Sequence, residues 1–182
     1  MKDFKKFGPF AYTAKLRNGL FRNTGASLSP QNAFYNSIGM ETLGLRMERV
    51  CDNAKTLAQF FATEYSDIEV NYPGLAGSKW HNIATEQFGD KFGGIITIRT
   101  GNKKRAFGII DALKLPLIVS NIGDTKTLVI HPESTLNVHS TQEEKETAGV
   151  FDDLIRISVG IEDIEDLIDD FKQAIESVKD VY

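Results

Sequence analysis

The segment Leu154-Ile155-Arg156-Ile157-Ser158-Val159 sets one guanidinium inside an apolar run. Read as a strand, it sends Ile155, Ile157 and Val159 to one face and Leu154, Arg156 and Ser158 to the other. A lone guanidinium among apolar side chains is expensive to desolvate unless an anion meets it. Its planar fork matches a carboxylate through two parallel hydrogen bonds. Arg156 is therefore a candidate anchor for the carboxylate of a ligand. The plainer alternative is an arginine paired with a nearby acid, Asp152 and Asp153 among them.

Other candidates are weaker. Ser120-Asn121-Ile122-Gly123-Asp124 follows an apolar run, and such a turn can present Asn121 and backbone N–H groups to a ligand. An ordinary Asx turn has the same letters. Lys126 closes Gly123-Asp124-Thr125-Lys126, but a loop lysine is usually solvated, and a reactive amine needs a setting that lowers its pKa. His81, His131 and His139 lie far apart, none at metal-ligand spacing with another, and Cys51 is the single cysteine. No metal site and no disulfide framework are expected. Phosphate-loop, dinucleotide and nucleophile-elbow motifs do not occur.

The elements that must position these residues follow from periodicity. A short helix is predicted over 8–23, stopped by Asn23-Thr24-Gly25. Ser29 caps the next, longest helix, Pro30 to Phe61. Its stripe is Met47, Val50, Cys51, Ala54, Leu57, Ala58 and Phe61, and Gly39 and Gly44 favour a bend in its middle. The period then changes. Strands are predicted at Ile68–Tyr72, Gly94–Arg99, Leu117–Val119, Leu128–Ile130 and Leu154–Val159. Helices are predicted at Trp80–Phe88, with Trp80, Ile83, Ala84 and Phe88 on one side, at Lys103–Leu113, after the Thr141-Gln142-Glu143-Glu144 capping box, and at Glu162–Ser177. This order implies an α/β (α+β) fold with a mixed or largely antiparallel sheet of four or five strands packed with helices.

Length and charge bound the function. At 182 residues the chain has the length of one ordinary domain with room for a small extension. The net charge is −4, distributed as +5 over residues 1–60, +1 over 61–132 and −10 over 133–182. With a pI of 5.4 this excludes the basic footprint of nucleic-acid binding. No apolar run reaches the roughly 18 residues of a membrane span, and residues 1–10 lack the pattern of a secretory signal. A cytoplasmic protein is expected.

Four stretches carry a resemblance. They are Ser29-Pro30-Gln31-Asn32-Ala33-Phe34 with Glu41-Thr42-Leu43, and Asn71-Tyr72-Pro73-Gly74-Leu75. The third is Asn121-Ile122-Gly123-Asp124 with Leu128-Val129-Ile130-His131-Pro132. The fourth is Asp153-Leu154-Ile155-Arg156-Ile157-Ser158-Val159-Gly160-Ile161-Glu162-Asp163. In this order they resemble the C-terminal part of the pyridoxal-phosphate-dependent enzymes of cysteine and methionine metabolism, closest to the O-acetylhomoserine sulfhydrylases. The resemblance implies the small C-terminal domain of a fold-type-I enzyme, with 1–28 a remnant of the large cofactor domain, 29–65 a connecting helix and 66–182 the small domain. It implies that Arg156 binds the substrate α-carboxylate and that Asn121 helps, where lyase relatives usually carry Ser.

It further implies that the pyridoxal 5'-phosphate site and its lysine lie in the large domain, upstream of Met1, so no catalytic or cofactor-binding residue is expected in this chain. Alone, the chain is then expected to be inactive. The implied reaction is γ-replacement on O-acetylhomoserine by sulfide or a thiol, giving homocysteine or methionine. The implied partners are the large domain and, as usual in the family, further copies in a tetramer. After His131-Pro132 the family pattern Ala-Ser-Thr-Thr-His is replaced by Glu133-Ser134-Thr135-Leu136-Asn137, so no role passes to that slot or to His139. Two alternatives stand beside this: a cystathionine γ-synthase or methionine γ-lyase fragment, and a non-catalytic module that binds amino acids or complements a separate large domain.

Overall fold

The structure, a computed structural model, describes residues 2–179. It divides into two compact units, Met1–Thr42 and Leu43–Tyr182. The first unit is helical and open. Tight 3-10 turns over Lys2–Phe10 are interrupted at Gly8, where φ is +52°. Then come α1 (Ala11–Leu16), a π turn (Arg17–Phe21) and α2 (Arg22–Thr24). Gly25 ends the run at φ +61°, a conformation that costs a residue without Cβ little. The predicted helix over 8–23 is thus three helical segments, with Gly19 inside the π turn. In α3 (Pro30–Glu41) the Ser29 hydroxyl accepts from the Asn32 N–H at 3.1 Å, and Pro30 occupies the first turn. No residue of α1, α2 or α3 is buried.

The second unit opens with α4 (Leu43–Glu64). The single helix expected from Pro30 to Phe61 is interrupted between Gly39 and Gly44, at Thr42, with φ −107° and ψ 7°. Gly39 and Gly44 weaken the helix on either side, and Thr42 is itself β-branched, so continuous helix gives way there. β1 (Glu69–Asn71), α5 (His81–Phe88), β2 (Ile95–Arg99), α6 (Lys103–Ala112), β3 (Leu117–Ile118), β4 (Leu128–Ile130), α7 (Gln142–Thr147), β5 (Leu154–Ser158) and α8 (Ile164–Ser177) follow. The strands form one sheet in the order β1-β2-β5-β4-β3. All pairs are antiparallel except β3 with β4, so the sheet is mixed, as the element order implied.

Helices α4, α6 and α8 cover one face. Leu57 and Phe61 of α4, Ile109 of α6 and Leu167, Phe171 and Ile175 of α8 bury completely against Ile96, Ile98, Ile155 and Ile157. Each such side chain contributes roughly 1.5–3 kcal/mol on leaving water. Phe61 and Phe171 meet edge to face at 5.2 Å. The α8 face (Leu167, Phe171, Ala174, Ile175) recurs at spacings of four, three and one, which is helical periodicity made physical.

Two expectations need correction. Helix α8 begins at Ile164 with Asp163 as its cap, not at Glu162, because the Glu162 side chain turns back to the loop before β4. The apolar side of α5 is not covered: Ala84 is buried, whereas Trp80, Ile83 and Phe88 are exposed. A regular stripe shows that a helix can pack, not that the partner is at hand.

Candidate functional site

β5 lies in the middle of the sheet, between β2 and β4. Arg156 is directly opposite Thr97 on one side and Ile130 on the other. Ile155, Ile157 and Val159 enter the helix-covered core, so Arg156 is on the other face, as the alternation required. On that face Asn71 Nδ2 donates to Thr97 Oγ1 at 3.3 Å. A groove of about 830 Å³ opens on it, with Asn71, Thr97, Arg99, Leu154, Phe151 and Trp80 in its lining; neither Arg156 nor Asn121 lines it.

Arg156 is half-buried. Its Nη2 donates to the backbone carbonyl of Asn121 at 3.0 Å. Its Nε is buried and has no hydrogen-bond partner. Burial holds its pKa below the usual guanidinium value, although an arginine remains charged at neutral pH. Among the described residues no carboxylate pairs with it. Asp153, the acid expected as its alternative partner, instead accepts from Arg99 Nε and from the Gly101 N–H, both at 3.0 Å. Arg99 also lies over the Phe151 ring, 4.0 Å from its centre. The acid-paired alternative therefore describes Arg99, not Arg156.

The structure brings the two sequence-selected residues together. Asn121 meets Arg156 through its main-chain oxygen rather than its side-chain amide. Its turn, residues 119–126, is exposed throughout, and Gly123 adopts φ +74°, which the turn requires and glycine supplies. A separate cavity of about 180 Å³ lies between the turn and Val50, Ile95 and Ile161, with Ser158 in its lining; neither Arg156 nor Asn121 lines it.

Several residues that hold the turn were not distinguished by spacing. Ser158 Oγ accepts from the Gly123 N–H at 3.1 Å. Glu162 accepts from the Thr127 N–H at 2.6 Å and from the Thr127 hydroxyl at 2.9 Å. Asn53, buried on α4, donates to the carbonyls of Gly160 and Glu162 at 3.1 and 2.9 Å. A polar residue on the apolar stripe of α4 and a serine on the Arg156 face were the available signals.

The remaining candidates have structural roles. His131 is buried against Phe107. Its Nε2 bonds the Asp152 carbonyl and its Nδ1 the Ser134 hydroxyl, both at 2.8 Å. A carbonyl only accepts, so Nε2 carries the hydrogen. His81 Nδ1 likewise donates to the Pro73 carbonyl at 2.9 Å. Cys51 is buried and His139 exposed. Among the described residues no three His, Cys, Asp or Glu side chains cluster as a metal site, and no helix is long and apolar enough to cross a membrane.

A lysine that carries pyridoxal phosphate must be enclosed and partly desolvated. None of the described lysines is buried, and Lys126 is exposed on the turn.

The sheet, its helix layer and a central arginine opposite an Asn-containing turn define a class. The chain belongs to the Cys/Met metabolism PLP-dependent enzyme family, whose sequence pattern matches residues 8–176. It is 41% identical over 161 residues to an L-methionine gamma-lyase of Fusobacterium nucleatum subsp. polymorphum, covering 88% of this chain and 40% of that protein. It is 39% identical over 171 residues to an O-acetyl-L-homoserine sulfhydrylase of Corynebacterium glutamicum, covering 93% and 39%. The fold matches a crystal structure from Campylobacter jejuni, assigned as an O-acetylhomoserine (thiol)-lyase, with a TM-score of 0.85 and 39% identity over 92% of this chain and 40% of that one. That structure carries an N'-pyridoxyl-lysine-5'-monophosphate. The chain thus spans about 40% of the length of these relatives.

Proposed function

We propose that this chain is the C-terminal, substrate-orienting domain of a pyridoxal-phosphate-dependent O-acetylhomoserine sulfhydrylase, with Arg156 and the Asn121 turn receiving the substrate's α-carboxylate. In this reading 1–28 belongs to the large domain, 29–65 connects and 66–182 is the small domain. The supporting observation is the state of Arg156: a half-buried cation with a buried, unpartnered Nε and a carbonyl as its hydrogen-bonded neighbour. A carboxylate supplies what that site lacks, a negative charge with two acceptor oxygens. Fixing the carboxylate end restricts rotation of the substrate, so that the carbon bearing its amino group is presented in one orientation.

Bound pyridoxal phosphate supplies an electron sink for such chemistry. We assign its attachment to a polypeptide segment other than this one, since the lysines described here are not enclosed. Incubation with the cofactor and reduction by borohydride should give no stoichiometric adduct on a single lysine; such an adduct would overturn the assignment.

The Asn121-Ile122-Gly123-Asp124 form favours replacement of acetate by sulfide, giving homocysteine and acetate. The match to a methionine gamma-lyase supports a second reading, elimination of methanethiol from methionine. Joining this chain to the part of the Corynebacterium glutamicum relative that it does not match gives a protein on which the two separate. Homocysteine from O-acetylhomoserine plus sulfide supports the first reading. Methanethiol and 2-oxobutanoate from methionine alone support the second.

A further inference from the structure

We infer that Glu162 and Thr127 form a positioning latch that sets the Asn121 carbonyl against Arg156, and so tunes the carboxylate site from outside it. The inference rests on the reading of Arg156 given above. The turn buries no side chain, residues 119–126 being exposed; within it the Gly123 N–H donates to Ser158 Oγ of β5 at 3.1 Å. Its far end is fixed from the segment that follows β5.

Thr127 is fully buried where the turn enters β4. Its N–H and its hydroxyl both donate to Glu162, one to each carboxylate oxygen, at 2.6 and 2.9 Å. The same hydroxyl accepts from the Gly160 N–H at 2.9 Å. One side chain thus ties the entry of β4 to the exit of β5. The Thr125 carbonyl accepts from the Ile161 N–H at 2.9 Å, which ties the turn to the same segment. Asn53 anchors that segment to the core helix through the Gly160 and Glu162 carbonyls.

The geometry makes this more than general support. Thr127 is three residues before Ile130, the cross-strand partner of Arg156, and six after Asn121. The carbonyl facing the guanidinium is therefore held by the Gly123–Ser158 bond two residues on and by the closure at Thr127. Bonds to a carboxylate are among the stronger ones available, and a bidentate pair also fixes direction. If the latch opens, the turn can lift and Arg156 loses the group that aims its fork.

The test uses the full 182-residue chain with 15N-labelled arginine and L-norleucine as a probe that cannot react at its γ-carbon. The Arg156 Nε–H signal is identified by its loss in Arg156→Lys, and its shift on titration gives the affinity. Thr127→Val keeps the shape and removes the hydroxyl; Thr127→Ser keeps the hydroxyl. The latch predicts a displaced Arg156 signal and an affinity weaker by about fivefold or more in Thr127→Val, with both restored in Thr127→Ser. A loss of urea resistance in Thr127→Val with Arg156 signal and affinity unchanged shows a merely structural role and overturns the latch. Should Thr127→Val not fold, Glu162→Gln, which keeps one acceptor oxygen, is read against the same two outcomes. If the unaltered chain does not respond to the probe, or Arg156→Lys binds it as well, the carboxylate reading falls and the latch with it. If Arg156→Lys loses the probe while the latch variants keep it, the latch alone falls.

Discussion

Arg156 and Glu133 are two charged residues whose surroundings have opposite effects. Arg156 is desolvated without a counter-charge. Glu133 lies between Lys103 Nζ at 2.8 Å and Lys145 Nζ at 2.5 Å, which hold its carboxyl well below the usual range, at about 2. A folded pKa below the unfolded value of roughly 4.3 means that the stabilisation is complete above that value and fades as pH falls toward 2. Glu133→Gln should therefore cost about 1 kcal/mol at neutral pH, after discounting for solvent screening. Urea titrations should show the gap between the two proteins closing between pH 4.5 and 2; a gap independent of pH contradicts the bridge. The sequence pattern showed where Arg156 would point, because a strand alternates strictly. It did not show what Arg156 would meet. A main-chain oxygen leaves no trace in residue identity, and Asp153 was as near in sequence as any rival until Arg99 took it.

At the scale of elements, helix caps and stripes were readable because they depend on neighbours within four residues. Ser29, the Thr141–Glu144 box and the buried face of α8 are where periodicity put them. The segment after β5 was not readable in this way, since its constraints come from distant chain. Gly160 is the sharpest case. A Cβ there would lie 2.5 Å from the Thr125 carbonyl oxygen and 2.6 Å from the Lys126 carbonyl carbon, both main-chain atoms that cannot swing aside. Gly160→Ala should lower stability by about 2–3 kcal/mol, the cost typical of overfilling a packed site. The decrease is measured as a lower urea midpoint at unchanged slope. An alanine accepted without loss would mean the turn is not pinned to this segment. Asp170 is a second long-range constraint: it is buried on α8, and its Oδ2 accepts from the Lys114 and Leu115 N–H groups at 2.9 and 2.8 Å, fixing the approach to β3.

For the whole molecule, the two units differ in how they treat apolar side chains. The sheet unit buries a core between its sheet and helices, although Leu45, Phe88 and Ile118 stay exposed on it. In the first unit Phe10 is 72% exposed, Leu20 68% and Phe34 62%, a density of bare apolar surface that marks an interaction face. Sedimentation over a hundredfold concentration range should show reversible self-association, reduced by Phe10→Ser with Leu20→Ser; a monomer throughout counts against it. The sheet order has a further consequence. Of the five strands, the one emerging last from the ribosome, β5, is inserted between two made earlier. Until about residue 160 has been translated, β2 and β4 each present an unsatisfied edge, the kind of surface on which nascent chains mispair. Synthesis of this protein should therefore depend on chaperone protection late in translation, and a stop codon before β5 should yield an aggregate rather than a smaller folded product.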